Sequence, residues 1–154
     1  MTLKFRDIFK EPEFERTVSS EVRYYRPGDV IVEEDTSSTE LYLILKGTAD
    51  VYAAVDHLGV PGRKMGIAKL AEDDVVGELS ALFEDQPRTA SVVASSDCEI
   101  AVIDSKSLAR FMDEQPAQGY WILKDIFGQV VHRMRQATVR CNAITALYLN
   151  DCAE

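Results

Sequence analysis

Residues 76–93 read VGELSALFEDQPRTASVV and set a glycine and a carboxylate, Gly77 and Glu78, ten residues ahead of an arginine, Arg88. Gly77 and Glu78 open what reads as one short helical turn. Arg88 opens an alternating run to Val93 that has the period of a strand. An arginine entering a hydrophobic strand requires an anion. Glu78 is one candidate, and an external group is the other. Gly77 frees the amides of Glu78, Leu79 and Ser80 to point outward, and a helix start with free N–H groups attracts an anion, typically a phosphate. The spacing predicts a phosphate cradle with a carboxylate beside it.

Outward from this cassette the chain has the period of short strands. On the N-terminal side, Val22 and Tyr24 alternate up to the turn Arg26-Pro27-Gly28-Asp29, and Val30 and Val32 follow. After a polar loop, Glu33 to Glu40, the run Leu41 to Leu45 reads as a buried strand. Lys46-Gly47 then turns the chain into Thr48 to Val55. His57 to Arg63 holds Gly59, Pro61 and Gly62 and reads as a hairpin loop; Lys64 to Leu70 is the returning strand, and Glu72-Asp73-Asp74 the next turn. On the C-terminal side, Ser95-Ser96-Asp97 turns into Cys98 to Ile103. Short strands at such intervals predict a mainly β fold, an antiparallel β-barrel or jelly roll.

Helices flank the strands. From Leu3 to Glu15 the residues Phe5, Ile8, Phe9 and Phe14 are loosely helical in spacing, interrupted by Pro12, and predict one or two short helices that form a lid or a packing flank. Asp104 or Ser105 is the N-cap of a helix carrying Leu108, Phe111 and Met112, which Pro116 ends. No proline follows between Ala117 and Asn150, which predicts one long helix. Along it Leu123, Phe127, Val130, Met134, Ala137, Cys141, Ile144 and Tyr148 recur at steps of four and three, the seam of a dimerising coiled coil. Trp121, Ile122, Ile126 and Val131 lie on flanking faces and are expected to pack on the chain's own strands. The whole reads as one domain, 1–154: a helical flank at 1–20, the barrel at 21–104 with the cassette at 76–93, and the C-terminal helices at 105–150.

Composition narrows the function. A hydrophobic fraction of 46% in 154 residues supplies a core for one domain. The start, MTLKFRDIFK, carries charges where a signal peptide would be apolar, and no stretch is long enough to span a bilayer, so no membrane association and a cytoplasmic location are expected. The three cysteines Cys98, Cys141 and Cys152 have no CxxC spacing; they are read as small apolar fillers in a reducing compartment, with no metal site. A net charge of −9 argues against direct nucleic-acid binding. Only two histidines, His57 and His132, are available, too few for a metal-centred barrel enzyme, and neither is placed to activate a nucleophile near the cassette; no catalytic residue is assigned.

The order barrel, short helix, long helix, together with Gly77-Glu78-Leu79-Ser80 and Pro87-Arg88-Thr89-Ala90, resembles the cyclic nucleotide-binding domain family, and in particular the effector domains of catabolite activator-like bacterial regulators. The resemblance runs from about Val22 to Tyr148. It implies that Arg88 pairs with the cyclic phosphate, that Glu78 accepts the ribose 2′-OH, and that Gly77, Leu79, Ser80 and Ala90 complete the cradle. It implies further that Thr89 reaches the phosphate or a guanine 2-amino group, leaving cAMP and cGMP both open, and that the base rests against the long helix near Thr138 and its neighbour Arg140. The family's turns usually carry glycine where this chain has Asp35 and Asp73, a residue that tolerates left-handed backbone. The DNA-binding relatives continue past the long helix into a helix-turn-helix domain, whereas this sequence stops at Glu154, so direct DNA readout is not expected unless it is a fragment of a longer protein. The expectation is a non-catalytic receptor for cAMP or cGMP, with no cofactor, that signals through a homodimer to a downstream protein partner. The alternatives are a degenerate docking dimer that ignores nucleotides, or the effector fragment of a transcription regulator.

Overall fold

The computed structural model describes residues 2–33, 38–54, 64–77, 83 and 90–153. Two short helices come first, α1 (Phe5–Phe9) and α2 (Pro12–Thr17). Eight strands follow among the described residues: β1 (Ser20–Tyr25), β2 (Val30–Val32), β3 (Glu40–Lys46), β4 (Ala49–Ala54), β5 (Lys64–Leu70), β6 (Val75–Val76), β7 (Ser91–Ala94) and β8 (Cys98–Asp104). Helices α3 (Ser105–Glu114) and α4 (Pro116–Cys152) close the chain. The expected hairpin loop at His57 to Arg63 lies outside the described residues.

The strands form two antiparallel four-stranded sheets, ordered β1-β8-β3-β6 and β2-β7-β4-β5. Among the described residues the jelly roll is therefore a sandwich of two separate sheets rather than a closed barrel. The first sheet is the middle of three layers. Leu41, Leu43, Ala101 and Ile103 on one face pack with Phe5, Ile8, Phe14, Leu108, Phe111, Ile122 and Ile126 of the helices. Tyr42, Ile44, Ile100 and Val102 on the other pack with Ile31, Val32, Leu70 and Val92 of the second sheet. A strand buried on both faces has no polar face to alternate with, which is why β3 and β8 read as near-continuous apolar runs.

The N-terminal helices belong to the core rather than to a lid. Phe5, Ile8 and Phe14 are fully buried, and the Phe14 ring meets Phe111 of α3 edge-on at a centroid distance of 5.1 Å and Phe9 at 5.5 Å. Such ring pairs each contribute ~1 kcal/mol beyond the area they bury. Pro12 starts α2 instead of merely ending α1, since a first-turn residue needs no N–H for the helix. By contrast, the alternating Val22 and Tyr24 are exposed: β1 is an edge strand, and its helix-side face extends past the cover the helices give to β3 and β8. Its other face carries the pair Arg23 and Glu21, 2.6 Å from Nε to Oε1, and this charge blunts the edge.

Left-handed backbone shapes several turns, Gly47 and Asp73 among them. Gly47 has φ +99°, and a Cβ there would lie 2.3 Å from the Asp97 carbonyl oxygen and 2.8 Å from Cys98 Sγ, so only glycine fits between β3 and β4. Asp73 has φ 74°, so the aspartate standing at an expected glycine position does take the left-handed conformation.

Asp104 caps α3, its carboxylate accepting from Ser107 N–H at 2.9 Å. One residue, Gln115, separates α3 from α4, and Gly119 lets the two cross closely: a Cβ there would stand 3.1 Å from Met112 Cβ. With 37 residues, α4 is about 55 Å long at 1.5 Å per residue. Ile122 and Ile126 bury its first half against the first sheet, with Trp121 and Val130 packed at the margin. From Met134 to Ala153 every residue is exposed. This corrects the reading of the cysteines: Cys98 alone is buried, whereas Cys141 and Cys152 stand exposed on α4.

Candidate functional site

Strand β6 delivers the chain to the cassette. Val75 and Val76 are buried and pair antiparallel with Leu43 and Tyr42 of β3. Gly77 follows with φ 85°, a left-handed backbone conformation that favours glycine. Glu78, Leu79, Ser80, Arg88 and Thr89 lie outside the described residues. Apart from Phe83, the next described residue is Ala90, immediately before β7, whose Ser91 is buried and pairs with Tyr52 of β4. The cassette thus leaves the first sheet at Gly77 and rejoins the second at Ser91, so its two ends are anchored on opposite layers of the sandwich.

The long-helix candidates are placed differently. Thr138 is exposed, and its hydroxyl donates to the Met134 carbonyl of its own helix at 3.0 Å, a back-bond that occupies the donor. Arg140, in contrast, reaches the sandwich, where its guanidinium donates to the Ile67 carbonyl of β5. Of the seam residues, Val130 packs at the core margin, while Leu123, Phe127, Met134, Ala137, Cys141, Ile144 and Tyr148 are exposed.

Sequence reasoning missed a set of polar contacts beside the cassette. Gln129 Oε1 accepts from Val75 N–H at 2.8 Å, and Gln129 Nε2 donates to the Asp73 carbonyl at 3.0 Å. Arg133 donates to the Val75 carbonyl, and Asp125 Oδ2 accepts from Phe5 N–H at 2.8 Å. Asp73 itself is ion-paired to Arg6 Nε at 2.7 Å and to Lys4 Nζ at 3.3 Å, which ties α1 to the same turn. The available signal was the i, i+4 spacing of Asp125, Gln129 and Arg133 on one face of α4. A cavity of about 460 Å³ runs along this face, between the N-terminal residues, the end of β5 and α4, with Lys4, Lys69, Trp121, Lys124 and Arg133 among its lining. Among the described residues of the expected site, Gly77, Ala90 and Thr138 are not part of its lining.

The fold and the position of Gly77 define a class: the chain belongs to the family of the cyclic nucleotide-binding domain, whose profile matches residues 22–115. Among curated relatives, it is 33% identical over 99 residues to a cAMP-dependent protein kinase regulatory subunit of Colletotrichum orbiculare, a match covering 64% of this chain and 23% of that one. It is 26% identical over 114 residues to the cAMP-activated global transcriptional regulator CRP of Salmonella typhimurium, covering 74% of this chain and 50% of that one. The chain therefore spans half or less of these relatives' lengths. Among solved structures, the c-di-GMP-responsive global regulator CLP of Xanthomonas campestris superposes with a TM-score of 0.76 at 19% identity, over 86% of this chain and 62% of that one. The likeness to CLP is one of fold. No helix among the described residues is long and apolar enough to cross a membrane.

Proposed function

We propose that the chain is a non-catalytic receptor module for a cyclic nucleotide, cAMP or cGMP, and that it signals by a ligand-driven rearrangement of a homodimer in the cytoplasm. The observation that carries the reading is the family match across residues 22–115, which includes the whole cassette and fits the left-handed Gly77 at its start. In this reading Arg88 holds the phosphate, Glu78 the 2′-OH, and Gly77, Leu79, Ser80, Thr89 and Ala90 shape the cradle; Thr138 meets the base once its back-bond is released. A planar guanidinium gives two parallel charge-assisted bonds to a phosphate, each contributing ~1.5–3 kcal/mol. The names of the fungal kinase subunit and the Salmonella regulator, both tied to cAMP, support this class of ligand.

Dimerisation is assigned to α4, through Leu123, Phe127, Val130, Met134, Ala137, Cys141, Ile144 and Tyr148. Its support is the exposure of every residue from Met134 onward, which leaves the apolar seam uncovered in a single chain. Phosphate binding draws the cassette inward, Leu82 and Phe83 repack, and α4 shifts against the sandwich. The ligand drives this only by its differential affinity for the two arrangements. The output passes to a downstream protein, with no direct contact to nucleic acid or membrane.

The test is a melting curve with and without millimolar cAMP or cGMP. At a hundredfold excess over Kd a ligand stabilises by ~2.7 kcal/mol, and a domain of this size then gains about 5–10 °C. A folded protein whose midpoint moves with neither nucleotide contradicts the proposal and favours the docking-dimer alternative.

A further inference from the structure

β6 is two residues long and lies at the edge of its sheet. On the β3 side the turn ahead of it is held by Ile44, whose N–H donates to the Asp74 carbonyl at 2.9 Å and whose carbonyl accepts from Asp73 N–H at 2.9 Å. Val75 turns its own N–H and carbonyl the other way, toward α4, where a further strand would otherwise pair. Gln129 and Arg133 occupy those two groups, and the Gln129 carboxamide reaches back to the Asp73 carbonyl as well. A carboxamide carries one acceptor and one donor group side by side, as a peptide unit does, so Gln129 stands in for the missing strand. Glutamate could accept from Val75 but not donate to Asp73, and leucine could do neither.

The same face of α4 makes a second long-range contact. Asp125, one turn before Gln129, holds Phe5 N–H with Oδ2, while its Oδ1 lies 3.5 Å from Gln129 Nε2. Arg133, one turn after, lies 3.4 Å from Gln129 Oε1. Three side chains in contact thus grip the N-terminal helix and the strand feeding Gly77. A helix does not stretch, so a pull on Val75 moves this turn of α4 as a body.

We propose that Gln129 is a positioning residue for the phosphate cradle: with Asp125 and Arg133 it couples the backbone at residues 73–77 to α4 and to α1. The part of this proposal that concerns nucleotide occupancy rests on the receptor reading above; the coupling itself does not.

Amide hydrogen exchange on the full chain tests it, comparing the wild type with Gln129→Leu, Gln129→Glu and Asp125→Ala. Without ligand, Gln129→Leu should speed the Val75 amide about tenfold, the loss of one hydrogen bond. It should also speed the Phe5 amide, which bonds to Asp125 and not to Gln129, by about threefold or more, and Asp125→Ala should reciprocally speed Val75. Gln129→Glu, which keeps the Val75 acceptor, should leave Val75 near wild type, speed Phe5, and decide the matter if the leucine variant does not fold. Changes confined in every variant to the amide that loses its own partner overturn the coupling, since Gln129 would then only cap an edge. With saturating cAMP or cGMP, the wild type should slow exchange at 75–77 and along 122–133. Gln129→Leu should keep the first effect and lose the second; retention of both overturns its role in registering the ligand. A wild type that binds neither nucleotide overturns the receptor reading, and the ligand-free comparison still decides the coupling.

Discussion

Replacing Ile144 by lysine separates a pairing helix from a free one. Ile144 is 64% exposed in the single chain, so about two-thirds of its side chain remains to be buried on dimerisation. Full burial of an isoleucine is worth ~1.5–3 kcal/mol, so each copy of Ile144 adds about 1–2 kcal/mol to pairing, and a two-fold dimer loses about 2–4 kcal/mol when both are replaced. The dimer dissociation constant should rise by about thirty- to a thousandfold, before any cost of desolvating the ammonium. Val139 supplies the control. It is 68% exposed on the same stretch of α4, but lies two residues from Ala137 and from Cys141, on the face away from the seam. Val139→Lys adds the same charge at the same exposure and should leave the constant unchanged. Sedimentation equilibrium over a range of protein concentrations reads both. Equal weakening by the two variants, or a wild type that sediments as one chain at tens of micromolar, would refute the seam.

Other consequences follow from the core and the turns. Phe14→Ala removes a fully buried ring from between α1 and α3 and should cost ~3–5 kcal/mol in urea unfolding. Gly47→Ala must place its Cβ against backbone at Asp97 and adopt positive φ, so a loss of more than ~2 kcal/mol, or failure to fold, is expected in the same assay. A thiol reagent under native conditions should modify Cys152 rapidly and Cys98 only on unfolding, with Cys141 of the seam slower than Cys152 in the dimer, which intact mass spectrometry resolves.

The elements that are legible in the sequence are those whose burial is locally periodic. β3 and β8 announce themselves as apolar runs because helices cover one face and strands the other, and α4 because nothing interrupts its period of three and four. Period alone did not say which face of a strand meets the core: at β1, Val22 and Tyr24 alternate correctly and yet point past the edge of the helical layer. A cysteine was read as filler by type, whereas its position on α4 decides that Cys141 is exposed. At the candidate site, glycine was read at Gly77 as freeing the amides that follow it, and its φ of 85° is a backbone conformation that few residue types other than glycine adopt. Gln129 was not, since it acts on backbone groups 54 residues away, and a side chain that bonds backbone leaves no complementary residue type to find.

The most direct test of the account is calorimetric titration of the wild type and Arg88→Ala with cAMP and cGMP. The expected result is one site per chain for at least one nucleotide in the wild type. The loss of two charge-assisted bonds should weaken it by about a hundredfold or more in the variant, with the melting point of the free protein little changed. Equal binding by the two proteins, or no heat with either nucleotide from a folded wild type, would contradict it.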